Sequence, residues 1–224
     1  MSNKPENGFE DLNTFLYKKI KEKIKNNELK PGEKIRQIEL AEKLGVSRTP
    51  LLKVLHRLAS ENTVKYIPNH GFRVKKLSAD ELIEIFEVRA IIQGVSAKNV
   101  VERAADEEID RLKSYFLPFK KEDDIDEREY YEADEKFHSS LIQLSGNSLI
   151  IKINNMFNIH NFSYQEGLIR PPQETITEHF DLINAIRKRD KFKAQQLAIE
   201  HIERSCENIK TKLLDKEEAI FADK

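Results

Sequence analysis

Apolar residues recur at regular spacing through most of the chain, and the spacing changes character twice. Over 10–27, Leu12, Leu16, Ile20 and Ile24 return every four residues with lysines between them, which predicts an amphipathic helix. Leu29-Lys30-Pro31-Gly32 stops it, because Pro and Gly force a turn. Ile38, Ala41 and Leu44 mark a short second helix that Gly45 closes as a left-handed cap. Ser47 opens a third, with Leu51, Val54, Leu55 and Leu58 on one face. The helical period then gives way to two short strands, 64–67 and 72–75, around the turn Pro68-Asn69-His70-Gly71. Helix, helix-turn-helix and hairpin in this order predict a winged helix-turn-helix.

From the capping box Ser78-Ala79-Asp80-Glu81 onward the helical period returns and persists. It predicts helices near 79–103, 106–121, 123–145, 148–165, 173–188 and 191–218, a bundle of about six helices with short connections. The fold class is mainly α: a winged helix-turn-helix over 1–77 joined to an all-helical domain over 78–224.

Charge sharpens this division. The net charge of −1 conceals 17 Lys+Arg against 9 Asp+Glu in residues 1–77, a balance of +8. The remainder holds 21 against 30, a balance of −9. A basic module on an acidic one points to a nucleic-acid-binding part beside a part that avoids polyanions. The single cysteine, Cys206, excludes a disulfide framework. There is no apolar run of membrane-spanning length and no apolar leader at the start, so a cytoplasmic location is expected. No Gly-x-Ser-x-Gly stands in a strand-turn-helix context, which leaves a serine hydrolase without support.

In a helix-turn-helix the second helix enters the major groove by its N-terminal end. Ser47, Arg48 and Thr49 stand there, with free N–H groups and a dipole that favour phosphate, and Arg48 has the fork that matches guanine. Arg36, opening the preceding helix, is placed to grip the backbone, and His70 and Gly71 at the hairpin tip to meet sugar-phosphate or minor groove. The run from Leu29 to Ser78 resembles the DNA-binding domain of GntR-family bacterial regulators. That family typically reads Val-Arg-Glu-Ala-Leu after Ser-Arg-Thr-Pro, where this chain has Leu51-Leu52-Lys53-Val54-Leu55. Leu52, read as exposed on the face of Arg48 and His56, either packs on a thymine methyl and shifts the preferred operator or makes no base contact.

In the helical part, polar groups fall on faces that should be apolar. Asp134 and His138, four apart, share a face with Leu141 and Ile142; His179 leads Leu182, Ile183 and Ile186; His201 follows Ala194, Leu197 and Ala198. Burying four such groups unpaired costs several kcal/mol, and one divalent cation satisfies all four. This pattern, with Phe86-Glu87-Val88-Arg89, Ser145-Gly146-Asn147, Glu178-His179 and Glu200-His201, resembles the FCD effector domain of the FadR-like subgroup. The resemblance implies a metal (zinc, nickel or manganese) on Asp134, His138, His179 and His201, and a small carboxylate effector in the same cavity.

Arg89, on the stripe of Leu82, Phe86 and Ile92, is a buried charge that needs a partner: its fork suits a planar carboxylate effector, and an acidic neighbour on another helix is the alternative. Gln93, where the family usually has Glu, and Ser96 line the same face; His160 and Asn161 are further candidates for the cavity wall. The expected function is a ligand-responsive regulator, a repressor by the family's commoner arrangement. It binds double-stranded operator DNA as a homodimer, because one winged module reads a half-site. A purely structural metal and a metalloenzyme are the alternatives, the latter lacking a well-placed extra acid or base.

Overall fold

The computed structural model describes residues 11–121, 125–156 and 170–222. The chain divides into two compact units, the first ending at Leu77 and the second opening at Ser78.

The first unit contains α1 (Leu12–Lys25), β1 (Lys34–Ile35), α2 (Gln37–Leu44), α3 (Arg48–Ser60), β2 (Val64–Ile67) and β3 (Gly71–Val74). Its antiparallel sheet has the order β1-β3-β2, with Phe72 of β3 paired to Ile35 on one side and Tyr66 on the other. Leu16 and Ile20 of α1, Leu40, Ala41 and Leu44 of α2, and Leu51, Val54, Leu55 and Leu58 of α3 close over Ile35, Val64, Phe72 and Val74. Gly45 ends α2 at φ 67, a left-handed conformation that costs a side chain about 1–2 kcal/mol and glycine nothing. Ile38 departs from expectation: it is 58% exposed, and the inward face of α2 runs through Leu40, Ala41 and Leu44 instead.

The second unit contains α4 (Ala79–Arg103), α5 (Asp106–Ser114), α6 (Glu127–Leu144), α7 (Ser148–Met156), α8 (Pro172–Arg187) and α9 (Lys191–Ala222), with a 3₁₀ turn at Pro118–Lys121. Ser78 opens α4 with a reciprocal capping box: its hydroxyl accepts the Glu81 N–H at 3.1 Å, and the Glu81 carboxylate accepts the Ser78 N–H at 2.9 Å. The expected helix over 106–121 is cut short at Ser114. Pro118 has no N–H to give and disfavours helical backbone in the residue before it. The expected helix over 148–165 is seen as Ser148–Met156; its later part, with His160 and Asn161, lies outside the described residues.

α9 runs alongside α4, and the two come close at Gly94, where an added Cβ falls 2.5 Å from Ile199 Cγ1. The core joins α4, α5, α6, α8 and α9 through Ala97, Val100, Ile109, Leu112, Tyr130, Phe137, Leu141, Leu182, Ile186 and Ala198, with Phe116 just after α5. No helix among the described residues is long and apolar enough to cross a membrane.

Candidate metal centre and nucleic-acid interface

In the first unit the residues singled out for DNA stand at the N-terminus of α3, the N-terminus of α2 and the wing tip. Ser47 is the extended N-cap of α3 and its side chain makes no capping bond; Arg48 is the first helical residue, and both it and Thr49 are exposed. Exposed polar groups thus surround a helix N-terminus, where unpaired N–H groups and the dipole favour an anion. Arg36 is the exposed N-cap of α2, with Nη1 3.0 Å from Glu39. At the wing tip the His70 N–H donates to the Ile67 carbonyl at 3.0 Å. Pro68 and Asn69 at φ 63 form the centre of that turn, as a type II turn requires. Gly71 follows at φ 83, with Gln37 Nε2 2.9 Å from where a Cβ would stand.

Leu52 is not the exposed residue that the periodicity suggests. It is half-buried and packs on the apolar core. Beside it, His56 meets Phe72 edge-on at 5.0 Å, and Tyr66 closes the cluster at 5.1 Å from Phe72.

In the second unit the four metal-type side chains converge. One ligand atom from each of Asp134, His138, His179 and His201 lies within 4.8 Å of all the others, and all four residues are buried. His138 Nε2 is 3.2 Å from His201 Nε2 and 3.5 Å from His179 Nε2; His179 Nε2 is 3.0 Å from Asp134 Oδ1. Ligand atoms about 2.1 Å from a common ion stand roughly 3.4 Å apart around a tetrahedral centre, so these spacings fit a first-row cation. The outer nitrogens add a second reason. His201 Nδ1 donates to Glu178 at 2.7 Å, which leaves Nε2 as a lone pair aimed at another imidazole. Two such nitrogens face to face repel unless a proton or a cation sits between them.

α6 supplies Asp134 and His138 one turn apart, α8 supplies His179 and α9 supplies His201. Phe116 stacks on the His179 ring at 4.2 Å and 9°, and the Tyr130 hydroxyl meets His179 Nδ1 at 3.1 Å and Thr175 Oγ1 at 2.8 Å. Burial dominates the charge states. It holds His138 well below the ordinary imidazole range and His201 down to about 4, so both are neutral donors at neutral pH. Burial alone would raise Asp134, but the facing histidines outweigh it and keep the carboxylate ionised.

Two family descriptions match the chain: the FCD domain over residues 84–204 and the bacterial regulatory proteins of the gntR family over 12–74. The chain belongs to the FCD-bearing gntR family of transcriptional regulators. It is 26% identical over 201 residues to the HTH-type transcriptional regulator YdhC of Bacillus subtilis (strain 168), spanning 87% of this chain and 89% of that one. It is 37% identical over 123 residues to the Nta operon transcriptional regulator of Aminobacter aminovorans, 55% of this chain and 59% of that one. It is 25% identical to the HTH-type transcriptional repressor GlaR of Escherichia coli (strain K12), over 83% of this chain and 90% of that one. The fold matches that of E. coli McbR/YncC at a TM-score of 0.75 and 20% identity, over 92% of this chain and all of that one. Its relatives are DNA-binding regulators, not enzymes.

In this gntR-family chain, Arg89 and Gln93 lie on the buried face of α4, 5% and 1% exposed. Gln93 Nε2 donates to the His138 carbonyl at 3.4 Å, which places that face against α6 beside the histidine cluster. Gln93 Oε1, Ser96 Oγ and His138 Nδ1 are buried without a hydrogen-bond partner among the described residues. Two contributors escaped the sequence reading. Tyr130 stands four residues before Asp134, on the face of His138, and that spacing is the signal that marks it. Glu178 was read only as part of a motif, and its partner His201 is 23 residues away on another helix.

Proposed function

We propose that this regulator is a metal-dependent sensor of a small organic acid and acts as a repressor of its operator. The observation that carries the metal is the convergence of three imidazole nitrogens and a carboxylate oxygen on one buried point. Asp134, His138, His179 and His201 hold the ion; their mixed N and O donor set suits several first-row metals, and the family resemblance points to zinc, nickel or manganese. When bound, the ion supplies fixed positive charge in a buried place. Arg89 adds a second charge, and its fork suits a planar carboxylate. Gln93 Oε1 and Ser96 Oγ bring polar atoms without a hydrogen-bond partner among the described residues, and such groups are costly unless something pairs with them.

On the DNA side, Ser47, Arg48 and Thr49 meet the major groove and phosphates, and Arg36 holds the backbone. His70 and Gly71 bring the wing tip to the duplex, and Leu52 touches a thymine methyl with its outer edge. A single winged module covers one half-site, so a homodimer on a two-fold operator is the working unit. The effector, by favouring one arrangement of the dimer, changes operator affinity by its differential affinity for the two arrangements. The name of the relative GlaR favours repression.

Elemental analysis of the purified, tag-free protein beside its His179→Ala variant tests the centre. About one equivalent in the wild type and clear loss in the variant supports it. No metal in either after incubation with zinc, nickel and manganese salts sinks it. Four protein donors also complete a tetrahedral zinc site, the purely structural reading. A screen of small carboxylates by thermal shift with and without chelator separates the two, because only a sensor shows a metal-dependent response to an acid.

A further inference from the structure

We propose that Glu178 is the positioning residue of the metal centre. It fixes the tautomer and ring orientation of His201, and so turns Nε2 toward the three other donors. The proposal rests on the metal-centre reading above.

The three histidines are not equivalent at their outer nitrogens. His138 Nδ1 is buried without a hydrogen-bond partner among the described residues, and His179 Nδ1 meets the neutral hydroxyl of Tyr130. His201 Nδ1 meets a carboxylate, Glu178 Oε2, at 2.7 Å. Glu178 and His179 are neighbours in α8, about 100° apart around the helix axis. One turn of α8 therefore contributes a donor directly and orients a second donor on α9.

Glu178 is itself locked. Arg170 takes both its oxygens in a fork, Nη1 at 2.9 Å and Nη2 at 3.0 Å, and Arg204 Nη1 adds a third bond at 2.6 Å. Arg170 is 8% exposed and is steadied by Glu174 at 3.2 Å, while Arg204 is steadied by Glu200 at 3.2 Å. Two guanidiniums and an imidazole N–H converge on one carboxylate, far more than a chance surface contact provides. A carboxylate that takes the outer N–H makes the imidazole a stronger base toward a cation, and loss of such a partner typically weakens metal binding about 10- to 100-fold.

The test measures zinc affinity of the full-length chain by competition with a chromophoric chelator. Glu178→Gln is expected to bind zinc about 10- to 100-fold more weakly, while Glu174→Gln, which touches Arg170 but not His201, binds like the wild type. The decisive comparison is in a His201→Ala background, where Glu178→Gln is expected to change affinity less than about threefold, because no imidazole remains to orient. A merely structural role would weaken binding equally in both backgrounds and overturns the proposal, as does undiminished affinity in Glu178→Gln alone. If that variant does not fold, imidazole ¹⁵N spectra of the wild-type zinc form decide. A hydrogen-bonded Nδ1–H on His201 supports the proposal, and zinc on Nδ1 overturns it. A wild type that binds no zinc, nickel or manganese defeats the metal-centre reading itself, an outcome distinct from each of these.

Discussion

The Phe116 ring lies flat on the His179 imidazole, 4.2 Å away and 9° from parallel. Phe116 is fully buried, so this face of the histidine is held by core rather than by solvent. Phe116→Ala is expected to destabilise the chain by about 3–5 kcal/mol through the cavity it leaves. Phe116→Leu keeps most of the volume and costs about 1 kcal/mol, but removes the flat surface and should loosen metal retention. Urea unfolding and chelator competition on the two variants separate these effects; equal metal affinity in Phe116→Leu and wild type would show that stacking does not orient the ring.

Metal-free protein should weaken in mild acid. In the folded chain burial holds His201 down to about 4 and His138 well below its ordinary value, whereas both take up protons near pH 6.5 when unfolded. Between about pH 6.5 and 4 the unfolded state therefore binds more protons than the native state, and stability rises with pH across that window. The urea midpoint of chelator-treated protein is expected to be lower at pH 5 than at pH 7.5. A midpoint that does not move, or rises on acidification, contradicts the buried neutral histidines.

Gly94 sits where α4 meets α9. Alanine there gains helix propensity of about 1 kcal/mol, yet its methyl group would stand 2.5 Å from Ile199 Cγ1 and 2.8 Å from Cδ1. Gly94→Ala should be a net loss of about 1–3 kcal/mol, and Ile199→Ala in the same chain should recover part of it. Additive losses in the double variant would mean that the two helices part instead of pressing on each other.

Arg48→Ala is expected to lower specific operator affinity by about 1–3 kcal/mol and to relax preference at one base pair, measured by titration at fixed salt. Leu52→Arg should change the preferred site in a binding selection and, because Leu52 also packs on the core, lower stability by about 1–2 kcal/mol. An unchanged site with lowered stability would assign Leu52 to the core alone.

Much of this was legible in the sequence because long helices with one apolar face announce themselves. The stripe through Leu51, Val54, Leu55 and Leu58 and the cap at Ser78 are where the structure has them. Inward polar residues were legible for the same reason: Asp134, His138, His179 and His201 interrupt stripes that neighbouring apolar residues define. What the sequence hid is tertiary or too short to have a period. β1 is only two residues, Lys34–Ile35, and is a strand because β3 lies beside it. Ile38 looks inward by hydropathy, but Leu40, Ala41 and Leu44 set the phase of so short a helix. The roles of Glu178 and Tyr130 depend on which helix stands opposite, which no local pattern records.

The ligand set also has a meaning for the chain as a polymer. His138 and His179 are 41 residues apart and His138 and His201 are 63, so an ion on all three closes two long loops at one knot. Such a cross-link restricts the unfolded ensemble much as a disulfide does, and it is reversible by chelation in a chain whose single thiol forms no intramolecular bridge. Acquisition of the ion and durability of the chain are then one equilibrium. On the proposed metal reading, protein stripped of its ion is expected to be cleaved faster by an added protease than the metal-loaded protein.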